Sequence, residues 1–149
     1  KPFSGCPGMR AKQFQRSTAP AAGAACPSQL SQWPVQIKLA GVMAPYFDDA
    51  DLLIAADCTA YAYGNFHEKF IRGRITLIGC PKLDAVDYAE KLTAIFAAHS
   101  IRSVTVARME VPCCGGIEQA VQRAIAASGK AISCHVTVIG TDGTIQEER

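Results

Sequence analysis

Residues 75–107 read ITLIGCPKLDAVDYAEKLTAIFAAHSIRSVTVA, and the order of patterns inside this stretch decides the fold. Ile75 to Ile78 is a short apolar run of the composition and length of a strand. Tyr88, Leu92, Ile95 and Phe96 then fall at i, i+4, i+7 and i+8, one apolar stripe of an amphipathic helix, with Asp84 as its candidate N-cap. Val104 to Ala107 is a strand again. The same alternation continues outward in both directions. Leu52 to Ala56 is an apolar run before the stretch, and Val136 to Ile139 is one after it. Between Ala107 and Val136, Ile117, Ala120, Val121, Ala124 and Ile125 form a second helical stripe that Gly129 can close. Apolar strands alternating with amphipathic helices predict a parallel sheet covered on both faces, with right-handed crossovers. The predicted fold is therefore α/β, a three-layer αβα domain with a mainly parallel sheet.

The flanks carry weaker signals. Val35-Gln36-Ile37-Lys38-Leu39 alternates with period two and predicts a half-buried strand. Gly140-Thr141-Asp142-Gly143 is a turn signal before a short strand-like Thr144-Ile145-Gln146. Residues 1–30 read as an N-terminal segment and linker, because Ser17 to Pro27 is a run of small residues and prolines. Residues 31–149 then form the α/β domain. The chain opens on Lys1 and on Gly5-Cys6-Pro7-Gly8, which reads as the continuation of a longer polypeptide.

Composition excludes several function classes. Of the 149 residues 49% are hydrophobic and 19% charged, which is unlike a disordered tail or a coiled coil. No apolar run is long enough for a membrane span, and no signal peptide opens the chain, so a cytoplasmic protein without a membrane partner is expected. The 15 Lys and Arg against 13 Asp and Glu give a net charge of +2 with no basic block, so no nucleic-acid partner is expected. No Gly-x-Gly-x-x-Gly follows the first strand and no Walker A loop is present, which disfavours a nucleotide site.

Seven cysteines remain to be explained. An odd number would strand one thiol in a disulfide framework, so metal binding, redox chemistry or buried free thiols are the better readings. Cys58 follows the first core strand, Cys80 the second, and Cys113 with Cys114 the third. In an open parallel sheet those carboxyl ends share one edge, where loops and helix N-termini face a common crevice. Four thiols can thus converge at an edge where helix dipoles should lower thiol pKa values. Gly79-Cys80-Pro81 and Pro112-Cys113-Cys114-Gly115-Gly116 would let backbone approach a cluster and offer N–H groups to its sulfurs. Cys6 joins the set if the N-terminal segment crosses this edge. Ligands arriving singly from distant strand ends favour an iron–sulfur cluster over zinc, whose structural sites use paired Cys-x-x-Cys knuckles. Cys134 reads as core and Cys26 as incidental. Asp57, His67, Lys82 and Glu110 are candidate catalytic residues for proton handling. His67 reads first as an ordinary surface or packing histidine, and beside that as a ligand, a proton donor or a partner contact. Trp33, Tyr61, Tyr63 and Phe66 are candidates to line the crevice or to pack.

Ser31-Gln32-Trp33-Pro34-Val35-Gln36, Ala44-Pro45-Tyr46-Phe47, Ala55-Ala56-Asp57-Cys58, Gly79-Cys80-Pro81-Lys82-Leu83-Asp84 and Met109-Glu110-Val111-Pro112-Cys113-Cys114-Gly115-Gly116 together resemble the C-terminal domain of a family of ferredoxin-domain-containing iron–sulfur oxidoreductases of anaerobes. The similarity covers nearly the whole chain. It implies a [4Fe-4S] cluster and, as partner, a ferredoxin-like electron donor or acceptor, either an upstream module or a separate protein. A homodimer stays open. The Gly-Cys-Pro-Gly around Cys6 matches the family segment that follows its ferredoxin-like module. The Cys-Cys-Gly element is also similar to that of the heterodisulfide reductase catalytic subunit.

The expected function is electron transfer, or reduction of a small molecule, at a cluster held by Cys58, Cys80, Cys113 and Cys114 with Cys6 as a further ligand. Two alternatives stand beside it. One is a zinc-stabilised or metal-free interaction domain. The other is a thiol–disulfide enzyme using Cys113-Cys114.

Overall fold

In the computed structural model, which describes residues 12–17, 23 and 25–149, each apolar core run becomes a strand. The strands are β1 (Asp51–Ala56), β2 (Ile75–Gly79), β3 (Ser103–Met109), β4 (Ser133–Ile139) and β5 (Ile145–Glu148). They form one sheet of order β2-β1-β3-β4-β5. The first four are parallel, and β5 returns antiparallel along β4. Ala56 lies opposite Gly79 and Ala55 opposite Ala107, so the carboxyl ends of β2, β1 and β3 are immediate neighbours.

Side-chain alternation along the strands divides the core in two. Leu52, Ile54, Leu77, Val104, Val106, Val136 and Val138 pack with Leu92, Ile95, Phe96, Ile117 and Val121. These last five come from the two predicted helices, seen here as α2 (Tyr88–Ala98) and α3 (Gly115–Ser128). Leu53, Ala55, Ala107, Met109 and Ile139 face the other way, against Phe66, Phe70 and Ile71. Both faces are buried, which is why β1 reads as an unbroken apolar run.

The two helical layers are unequal. The sheet order turns back at β1, so the right-handed β1-to-β2 connection lies on the face opposite α2 and α3. That connection holds only the four-residue α1 (Thr59–Ala62) and a short π-helical turn, His67–Ile71.

Two local expectations are corrected. Residues 35–39 make one parallel bridge, Gln36 to Ile78, and then turn, leaving Leu39 exposed while Ile37 is buried. The Gln32 side-chain amide stands in for a strand neighbour, accepting from the Thr76 N–H and donating to the Thr76 carbonyl. The N-cap of α2 is Asp87, whose carboxylate accepts from the Ala89 N–H; Asp84 accepts from the Tyr88 hydroxyl instead. Gly129 does close α3, at φ 73°. Among the described residues no helix is long and apolar enough to cross a membrane.

Candidate functional site

The Cys58 turn is fixed by its backbone. The Asp57 N–H donates to the Gly79 carbonyl at 3.0 Å, tying the exit of β1 to that of β2. The buried Thr59 hydroxyl donates to the Ala56 carbonyl at 2.7 Å, and Cys58 starts α1 with its side chain exposed.

A small network holds Cys80. Its N–H donates to the Tyr88 hydroxyl at 2.8 Å, and that hydroxyl donates to Asp84. Its carbonyl accepts from the Asp84 N–H at 2.9 Å, closing a tight turn. A Cβ on Gly79 would stand 2.5 Å from the Tyr88 Oη, so only glycine lets the tyrosine lie across the strand end. The Cys80 N–H is therefore taken, and the expectation that this turn offers it to a cluster sulfur is withdrawn. Tyr88 read in the sequence only as one residue of a helical stripe. Helical spacing gave no signal for the contact, since Asp84 lies three residues before the Asp87 N-cap, outside the helix.

Cys113 and Cys114 sit on a 3-10 turn, Pro112–Cys114, that leads into α3. Cys113 is half-buried, and Cys114 is buried within the second core cluster. A Cβ on Gly116 would come within 3.0 Å of Pro81 Cβ, so the turn after β3 packs directly on the turn that carries Cys80.

The four thiols act on one another electrostatically. Burial pushes the Cys58 thiol up, and Cys80, Asp57 and Cys113 add to the rise. Burial likewise pushes Cys114 up to about 11, reinforced by Cys113, Cys58 and Cys80 and opposed by a hydrogen bond with the Met109 backbone. The sequence pattern predicts lowered values at this edge; for Cys58 and Cys114, desolvation and like-charge repulsion outweigh the helix dipole. All four thiols are free. Among the described residues, no group of three or more His, Cys, Asp or Glu side chains stands in an arrangement that could hold a metal ion.

The remaining candidates divide. Asp57 adjoins Cys58, and its carboxyl is pushed up by burial and by Asp84, against the lowering effect of Gln36. Lys82 is exposed on the Cys80 turn. Glu110 reaches the same edge but turns toward the β4–β5 connection, with Thr141 at 3.3 Å and Lys12 at 3.5 Å. His67 Nδ1 accepts the Gln29 N–H at 3.0 Å, which commits one ring nitrogen to holding the backbone. Cys6 lies outside the described residues. Lys12 and Arg16 contact Thr141 and the Asp142 carbonyl, so the described residues 12–17 do reach this edge. Phe66 is core, and Tyr63 packs edge-on against Phe70, whereas Trp33 and Tyr61 are exposed. Cys134 packs against the first core cluster, and Cys26 is exposed.

A protein of Archaeoglobus fulgidus (strain ATCC 49558) described as uncharacterized is 28% identical over 118 residues, covering 79% of this chain and 84% of its own length. No solved structure matches the chain. A family model described as a Rossmann-like domain matches residues 44–149, the span from the turn before β1 through β5, and the chain belongs to that family.

Proposed function

We propose that the chain is an iron–sulfur redox module in which Cys58, Cys80, Cys113 and Cys114 hold the cluster. The observation that carries this reading is the arrival of four free thiols at the carboxyl ends of three adjacent parallel strands. The donor chemistry fits the group, since soft thiolates from one edge suit iron–sulfur ligation. Closing the site takes side-chain rotation, above all at Cys58, whose thiol is exposed on a turn. A bound cluster would supply one-electron transfer, and its positive irons would offset the mutual repulsion of the thiolates.

The chain's own groups have defined parts. The Tyr88 hydroxyl orients the Cys80 turn through the Cys80 N–H. Pro81 against Gly116 sets the spacing between the Cys80 and Cys113 turns. The positive charge of Lys82, on the Cys80 turn, favours the more negative reduced state. The half-buried carboxyl of Asp57, raised by its surroundings, holds a proton beside Cys58 at a higher pH than an ordinary aspartate does. A thiol–disulfide enzyme needs a thiol of lowered pKa; the buried Cys114 is shifted the other way.

The test is the iron, zinc and acid-labile sulfide content of anaerobically purified protein, read with its visible spectrum. The expected result is brown protein with near-equal iron and sulfide, with iron lost in Cys80→Ser and Cys113→Ser and retained in Cys134→Ser. Colourless protein containing zinc would overturn the reading in favour of a structural site. Colourless, metal-free protein whose Cys113-Cys114 pair oxidises reversibly would replace it with a dithiol enzyme.

A further inference from the structure

The second core cluster covers only part of the sheet face opposite α2 and α3. On β3 and β4 it takes in Ala107, Met109 and Ile139, all in the carboxyl halves of those strands. The amino halves carry polar side chains on the same face, Thr105 on β3 and His135 and Thr137 on β4, with Thr105 opposite His135 in the register. A cavity of about 430 Å³ opens over them, walled by Lys69 and Phe70 of the turn His67–Ile71, by Arg74 and by the end of β5.

The charges around this cavity are unevenly matched. Lys69 pairs with Glu148 at 3.1 Å, and the Arg149 guanidinium is held by the Glu118 carboxylate at 2.9 and 3.0 Å. In the adjoining cavity Asp51 and Arg72 are paired too, with Arg102 and Glu68. Arg74, which lines both cavities, is half-buried and has no carboxylate partner among the described residues. One of its terminal nitrogens donates to the Lys69 and Phe70 carbonyls at 3.1 and 2.8 Å, which leaves the other donors of the fork unused.

The floor offers donors as well. Thr105 and Thr137 are only 8% and 6% exposed, and neither hydroxyl has a hydrogen-bond partner among the described residues. The unpartnered side-chain atoms that are sealed from water belong to Asp57, Thr76 and Arg108, so these two threonine hydroxyls reach the cavity that they line. One uncompensated positive charge above two free hydroxyls calls for a singly charged acceptor. A carboxylate supplies one negative charge and two oxygens in the geometry that a guanidinium fork matches. A phosphate monoester carries about two charges near neutral pH and would meet Glu148 as a like charge. A neutral molecule would leave Arg74 unmatched. Phe70 adds an apolar wall, and the volume suits a compact organic body.

We infer that this cavity binds a compact organic monocarboxylate, held by Arg74 and by the hydroxyls of Thr105 and Thr137. The site lies on the amino halves of β3 and β4, whereas the four thiols lie at the carboxyl edge, so the inference stands independently of the cluster.

The probe is benzoate, with benzyl alcohol as its neutral counterpart and inorganic phosphate as the competing oxyanion. Each is titrated at constant ionic strength into the isotope-labelled full chain while backbone amide shifts are followed. The expected result is saturable shifts at Arg74, Thr105 and Thr137 with benzoate at millimolar concentration. Benzyl alcohol and phosphate should bind about tenfold more weakly or less, as loss of a charge-assisted pair gives. Arg74→Gln should lower benzoate affinity by a similar factor. Because Arg74 also holds two carbonyls of the turn, Thr137→Val supplies a second reading that keeps the side-chain shape, with affinity about threefold to fivefold lower. Absence of saturable shifts, benzyl alcohol or phosphate binding as tightly as benzoate, or unchanged benzoate affinity in Thr137→Val would overturn the inference.

Discussion

At the scale of single residues, the Cys80 turn depends on Tyr88 more than on any charged neighbour. Its hydroxyl is the only group in the described structure that takes the Cys80 N–H, and burial with the nearby Asp84 raises the phenol, keeping it protonated. Tyr88→Phe removes both bonds and leaves a buried or half-buried N–H without a partner, a cost of about 1–3 kcal/mol. Gly79→Ala should cost more, because its Cβ would meet both the Oη and the ring of Tyr88 at 2.5 and 2.7 Å, and deleting the hydroxyl relieves only part of that clash. Chemical denaturation of the two single variants and the double variant checks the ranking. Equal stability of Tyr88→Phe and the parent would show that water satisfies the Cys80 N–H, and the tyrosine would then hold no positioning role.

At the scale of elements, α3 ends on a feature that sequence makes visible. Gly129 at φ 73° takes the left-handed position that ends the helix, and its N–H bonds to the Ala126 carbonyl. No heavy atom lies within 4 Å of a Cβ added there, so Gly129→Ala isolates the backbone term. The expected loss is about 1 kcal/mol, read as a lower Tm. The four parallel strands, both long helices and this stop were legible because each has its own period or its own special residue. The Val35–Leu39 alternation misled, since a period-two pattern predicts a strand only if the partner edge extends alongside it; here β2 offers one bridge and a side-chain amide completes the edge. The thin second layer was illegible for a related reason. Residues 59–71 bury Phe66, Phe70 and Ile71 from a four-residue helix and a π-helical turn, and neither is long enough to leave a period in the sequence. At the site, the strand-end positions of the cysteines could be read directly, whereas the direction of the Cys58 and Cys114 shifts could not. Spacing locates a thiol on an edge but carries no information on its desolvation.

At the scale of the whole molecule, Glu118 joins three parts of the fold. From the first turn of α3 its carboxylate accepts two bonds from Arg149, at 2.9 and 3.0 Å, beyond the end of β5, and it pairs with Arg108 of β3 at 3.2 Å. Arg149 in turn exchanges backbone hydrogen bonds with Val136 of β4, so this cluster anchors the antiparallel edge strand to the helical layer. The bond from Arg149 is the main reason that the Glu118 carboxyl is held below its ordinary 4.5, with the charges of Arg149 and Arg108 adding and burial opposing. A carboxyl with a lower pKa folded than unfolded binds fewer protons in the native state. Its stabilisation is therefore fully present above about 4.5 and is lost as the pH falls through the folded value. Glu118→Gln should flatten the acid limb of stability against pH below that point. Arg149→Ala should do the same while also loosening β5, seen as faster amide exchange at Val136 with β1 and β2 unchanged. An acid limb of the parent's slope in Glu118→Gln would mean that other carboxylates govern acid unfolding, and the three-way tie would then be a surface arrangement without thermodynamic consequence.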